Sequence, residues 1–113
     1  MGNFIAYLED KIVKCEKEEK ELILSERKDE ANLIKVKNNI YGVCKITYEV
    51  IVKNHKSEEV NEKYLAKLDH LSQTWNQAYE KAKEFHDVDK IVVEETKLQV
   101  LKEVIAYFKT EMQ

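Results

Sequence analysis

The sequence predicts an all-α protein, an antiparallel up-down-up-down four-helix bundle with long helices and short connections. Three observations lead there. The 113 residues include no proline and only two glycines, Gly2 and Gly42, fewer turn residues than a β-rich or loop-rich fold needs. Leucine, lysine, glutamate and valine dominate the composition, which favours long helices. In four successive segments, apolar residues recur at alternating steps of three and four, the spacing of a helix that buries one stripe. A chain of this length makes one domain, residues 1–113, able to bury roughly 65% of its unfolded surface without disulfides or metals.

The first predicted helix spans residues 3–24, with Ile5, Leu8, Ile12, Cys15 and Leu22 on its seam and Glu19 interrupting it. Its charged middle, Glu16 to Glu21, reads as a solvated face. Continuing the seam would bury Glu26 and Asp29, so a turn is expected near 25–28, with Ser25 or Asp29 as cap. One long helix to residue 54 is the alternative, because no glycine or proline forces the break. The second helix, 29–54, carries Leu33, Val36, Ile40, Val43, Thr47 and Val50 on one seam, and Ile34, Tyr41, Tyr48 and Val52 on a displaced stripe. Ser57 is expected to cap the third helix, 58–86, whose heptad of Tyr64, Leu68, Leu71, Trp75, Ala78, Ala82 and Phe85 is unbroken. The fourth helix, 88–112, starts at an Asp87 or Asp89 cap. Its seam is Ile91, Leu98, Leu101, Ile105, Phe108 and Met112, and Val93, Val100, Val104 and Tyr107 form a second stripe.

The second and fourth helices therefore have apolar arcs of about 200°, where an isolated four-helix bundle needs only ~100–140°. Two arrangements accommodate the surplus. Either these helices lie centrally in an irregular bundle, or Tyr41, Tyr48, Val100, Val104 and Tyr107 meet a partner. A second candidate contact lies on the third helix. His70, Gln73, Thr74 and Gln77 stand at i, i+3, i+4 and i+7 in a chain that is otherwise 36% charged. Interface centres are depleted of charge, so this neutral face reads as a contact for a partner protein or a second copy of the chain. The plainer reading is a helix–helix boundary where charges would be poorly solvated.

The formal charge of −3, with both signs interspersed, gives none of the basic stripes of a nucleic-acid binder. No apolar run reaches the ~20 residues that span a bilayer, and the opening residues lack the pattern of a signal peptide. The expectation is a cytoplasmic protein with no nucleic-acid or membrane partner and no cofactor. Cys15 and Cys44 fit a reducing compartment as buried, unpaired thiols.

One pattern points to catalysis. Glu58-Glu59-Val60-Asn61-Glu62 reads EExxE, and Glu84-Phe85-His86-Asp87 reads ExxD. Together they resemble the acidic motif of the all-α nucleoside triphosphate pyrophosphohydrolases. The resemblance covers only these nine positions. It implies Mg²⁺ held by Glu59, Glu62, Glu84 and Asp87, with Glu58 as a supporting acid, and a metal-activated water that cuts between phosphates. The unbroken heptad implies the opposite geometry, with Glu59 and Asp87 about 42 Å apart along one helix. Both blocks also serve as ordinary helix-end residues, acids in a first turn and a cap. The reading that follows is an interaction or accessory module, with the hydrolase as the alternative.

Overall fold

A computed structural model describes residues 2–112. Four helices account for nearly all of them: α1 (Gly2–Leu24), α2 (Lys28–Asn54), α3 (Ser57–Glu84) and α4 (Val88–Met112). The break near residue 26 is real, and α3 is continuous. Asp87 caps α4, its Oδ1 accepting from the Lys90 N–H at 3.2 Å. Ser57 does not cap α3. It is the first helical residue, and Lys56 precedes it with no side-chain cap. Nor do Ser25 or Asp29 cap α2, where Arg27 holds the cap position without a side-chain bond. The acids Asp29 and Glu30, and Glu58 and Glu59, in the first turns favour those unsatisfied N–H groups through the helix dipole instead.

The hairpin α1–α2 and the hairpin α3–α4 turn by the same device. Glu26 and His86 adopt left-handed backbone, with φ of 61° and 54°. In each turn the next N–H closes a six-residue loop onto the last helical turn, Arg27 to the Leu22 carbonyl and Asp87 to the Ala82 carbonyl. This is the Schellman ending, which normally recruits glycine because a side chain at positive φ costs ~1–2 kcal/mol. Glu26→Gly and His86→Gly are each expected to stabilise the protein, by up to ~1 kcal/mol, seen as a higher urea midpoint at unchanged slope.

The shared turn belongs to a larger repetition. Glu26 and His86 are sixty residues apart, and at that offset the two hairpins bury corresponding side chains. Phe4 and Tyr64, Leu8 and Leu68, Ile40 and Val100, Tyr41 and Leu101, Cys44 and Val104, and Tyr48 and Phe108 are buried in both members of each pair. The rings of four of these residues form the centre. Phe4 lies 5.0 Å from Tyr48 and 4.9 Å from Phe108, while Tyr64 lies 5.0 Å from each of the same two rings, all edge-to-face. Such pairs add ~0.5–1.5 kcal/mol each beyond their buried area. The fold is thus two helical hairpins related by an approximate two-fold axis through this aromatic node.

This arrangement places α2 and α4 side by side at the centre, with α1 outside α2 and α3 outside α4. The outer helices approach each other through the Phe4 and Tyr64 rings, 5.5 Å apart. The body is correspondingly flat, 45 × 35 × 22 Å. Its radius of gyration of 15.3 Å exceeds the ~13 Å of a compact chain this long.

The wide apolar arcs of α2 and α4 are therefore satisfied inside the chain, the first of the two arrangements above, and Tyr41, Tyr48, Val100 and Val104 are not free to meet a partner. All four are buried. Tyr107 is half-buried and stacks on Tyr7 at 3.6 Å with the rings within 4° of parallel. The seam assigned to α2 is corrected. Its core face is Ile34, Ile40, Tyr41, Cys44 and Tyr48, whereas Val43 and Val50 are exposed. Phe85 is exposed, because the chain has already left α3 for the turn. Trp75 is half-buried against the core, with the Lys97 ammonium 4.9 Å from its ring centre.

Candidate functional site

The approximate two-fold axis generates two equivalent seams, one between α1 and α4 and one between α2 and α3. Their chemistry differs. At the α1/α4 seam, Glu103 Oε1 accepts from the Tyr7 hydroxyl at 3.1 Å and the Tyr41 hydroxyl at 3.1 Å, and pairs with Lys11 Nζ at 3.2 Å. The Tyr7–Tyr107 stack bridges the helices beside it. Burial pushes the Glu103 carboxyl up, but the Lys11 hydrogen bond and charge and the two tyrosine hydroxyls outweigh it, so the group is held below the usual carboxylate range. Burial, then the Glu103 charge, push both tyrosines up, and they stay protonated donors.

A depressed carboxyl contributes stability that is complete above the unfolded value, about 4.3, and is lost as pH falls through the folded value. Glu103→Gln is therefore expected to be less stable than the native protein at pH 7, with the gap narrowing near pH 3. Urea midpoints of both proteins at the two pH values check this.

At the α2/α3 seam none of these fasteners is present. The positions equivalent to Tyr7, Tyr107, Glu103 and Lys11 hold Lys67, Thr47, Val43 and Leu71. A groove of about 590 Å³ runs between the helices. Its α2 wall is Ile46, Thr47, Val50 and Ile51, and its α3 wall is Lys63, Ala66, Lys67 and His70, with His55 at the end. Ile46 is 63% exposed and Val50 52%. With Val43 they make an aliphatic stripe at heptad-like spacing along the outer face of α2, where solvated helix faces normally carry charge. Among the described residues, no acidic side chain lines the groove. Among the described residues, Lys63 and Lys67 enter no ion pair.

Of the residues expected on the neutral face of α3, His70 lines this groove. Gln73, Thr74 and Gln77 are exposed and continue the same face of α3 beyond it. The α2 wall escaped the sequence reading for an identifiable reason. Spacing alone places Val43, Thr47 and Val50 inward, because they lie on the more regular heptad. The missed signal was the larger rings of the other stripe, Tyr41 and Tyr48, which claim the interior.

The acidic blocks are not brought together. Glu59, Glu62 and Glu84 all lie on the continuous α3, so Glu59 and Glu84 are about 37 Å apart along its axis, and Asp87 lies beyond its far end. Among the described residues, no three His, Cys, Asp or Glu side chains are grouped to hold a metal ion. Cys15 and Cys44 are buried and unpaired. Burial pushes the Cys44 thiol up to about 12, which leaves it protonated and unreactive at neutral pH. No described helix is long and apolar enough to cross a membrane.

The fold and groove define a helical bundle with an aliphatic stripe exposed along α2. Comparison with known proteins adds no relative: no protein-family model, no curated protein and no solved structure matches the chain.

Proposed function

We propose that the protein is an interaction or accessory module that docks a helix of another chain along the α2/α3 groove. The observation that carries this reading is the aliphatic stripe of Val43, Ile46 and Val50, exposed beside the Ala66 and His70 wall of α3. Docking there would bury side chains that now face water, at roughly 25 cal/mol per Å² of apolar surface. An amphipathic helix laid in an apolar groove is a recurrent recognition mode read at heptad-like spacing. With Cys15 and Cys44 unpaired and buried, a reducing, cytoplasmic setting is the one we adopt. The hydrolase alternative requires two chains, because only antiparallel pairing of two α3 helices would bring Glu59 and Glu62 to Glu84 and Asp87.

A photo-crosslinking residue at position 46, compared with one at the exposed position 16, tests the reading in living cells. A discrete adduct is expected from position 46 alone. Its partner, once purified, should bind the native protein and lose at least ~10-fold in affinity for Ile46→Asp, as truncation at an interface centre does. Equal adducts from both positions, or none, would refute a docking face. A self-adduct would identify a second copy as the occupant.

A further inference from the structure

The two-fold repetition supplies an internal comparison, because each position of the α2/α3 groove has an equivalent at the α1/α4 seam. On α4, the positions equivalent to Ile46, Val50 and Ile51 are Ala106, Thr110 and Glu111. At these exposed α4 positions, beside a cavity of similar size at the α1/α4 seam, the chain uses small or polar side chains. On α2 it uses three large aliphatic ones, two of them more than half exposed. The same comparison holds on α3. The equivalents of Lys63, Lys67 and His70 are Asn3, Tyr7 and Asp10, so the α2/α3 seam has two lysines where its twin is neutral, and a histidine where its twin has a carboxylate. At the twin seam a carboxylate, Glu103, is gathered by a lysine and two tyrosines. At the open seam the cations are present and the carboxylate is missing.

We infer that the occupant of the α2/α3 groove is an amphipathic helix from a partner protein, with an aliphatic or aromatic stripe flanked by glutamate or aspartate. The stripe would cover Ile46, Val50 and Ile51, and the flanking carboxylates would face Lys63 and Lys67. A second copy docked symmetrically by this face is disfavoured, because it would set Lys63 and Lys67 of one chain against the same lysines of the other. Complementary charge at such a rim selects the partner and speeds encounter more than it adds affinity. The inference rests on the docking reading above, and its test separates the two.

Two synthetic helical peptides, each about three heptads long, serve as probes. They share one leucine and phenylalanine stripe and differ only in flanking glutamates or flanking lysines. Fluorescence anisotropy with the full chain is expected to show saturable binding of the glutamate peptide, at least ~10-fold tighter than the lysine peptide, with the difference shrinking as salt screens the rim. Lys63→Glu with Lys67→Glu should reverse the preference. Ile46→Asp should abolish binding of the glutamate peptide, and its unchanged helical circular dichroism would show that the fold is intact.

Equal affinity for the two peptides, binding of neither, or binding that survives Ile46→Asp would overturn the inference. So would a native dimer, seen by sedimentation, that Ile46→Asp dissociates. Capture of the protein by phosphatidylserine vesicles with no binding of the glutamate peptide would assign the basic rim to an anionic surface and overturn it as well. If position 46 still crosslinks to a partner while the charge preference fails, only the acidic character of the occupant falls. If both fail, the docking face itself falls.

Discussion

Phe4→Ala is expected to destabilise the protein by ~3–5 kcal/mol, the range for removing a fully buried phenylalanine. Phe4 has no exposed surface and touches the rings of Tyr48, Tyr64 and Phe108, each within 5.5 Å of its own. Its loss leaves a cavity where all four helices meet, and the neighbouring rings cannot close it without leaving their own edge-to-face contacts. A domain of this size is only ~5–15 kcal/mol stable, so the melting temperature should fall by roughly 10–25 °C. Because Tyr64 is the two-fold equivalent, Tyr64→Ala should fall in the same range. It also removes the Tyr64 hydroxyl that donates to the Cys44 carbonyl at 2.8 Å. Urea unfolding of both variants checks this. A cost below ~1.5 kcal/mol for either would mean that the node is not where the hairpins lock together.

Cys44→Asp is expected to prevent folding, while Val50→Asp on the same helix leaves the fold intact. Cys44 has no exposed surface and its two-fold equivalent, Val104, has none either. Aspartate is close to cysteine in size, so the substitution isolates the effect of a carboxylate with no partner in an apolar interior. That places it among the changes costing more than ~4 kcal/mol. Val50 is 52% exposed, and a charge there should change stability by less than ~0.5 kcal/mol. Helical circular dichroism and urea midpoints distinguish the outcomes. If α2 instead buried the regular heptad of Val36, Ile40, Val43, Thr47 and Val50, the two substitutions would exchange effects.

That exchange marks the limit of what periodicity reveals. The four helices and their turns were legible because amphipathic spacing and charge placement are local properties. Helix α2 carries two apolar stripes, however, and spacing alone does not say which one faces the core. The choice is made by long-range packing, where Tyr41 and Tyr48 fill the space between α1, α3 and α4 and leave Val43, Ile46 and Val50 outside. The same cause puts Tyr41, Tyr48, Val100 and Val104 in the interior, one of the two places their wide arcs allow.

The repetition of the hairpins was illegible for a different reason. At the sixty-residue offset only four positions are identical: Ala6 and Ala66, Leu8 and Leu68, Asp29 and Asp89, and Lys37 and Lys97. What repeats is burial, and burial tolerates exchange of one apolar residue for another of suitable size, as Cys44 for Val104 or Tyr48 for Phe108. The candidate groove depends on this hidden equivalence. Its significance lies in how α2 and α3 differ from their twins, and only the fold shows which positions are twins. His70, which lines the groove, stands in a neutral run of a charged chain, and that signal is local.

The measurement that tests the docking face most directly is the reactivity of a single thiol at position 46. Cys15→Ala and Cys44→Val remove the native thiols, the second by adopting the residue that the twin helix already uses. Ile46→Cys then places one sulfur on the outer face of α2. The expected result is rapid labelling by a thiol reagent in the free protein and saturable protection by the glutamate-flanked helix. Slow labelling of the free protein, or labelling that the peptide leaves unchanged, would contradict it.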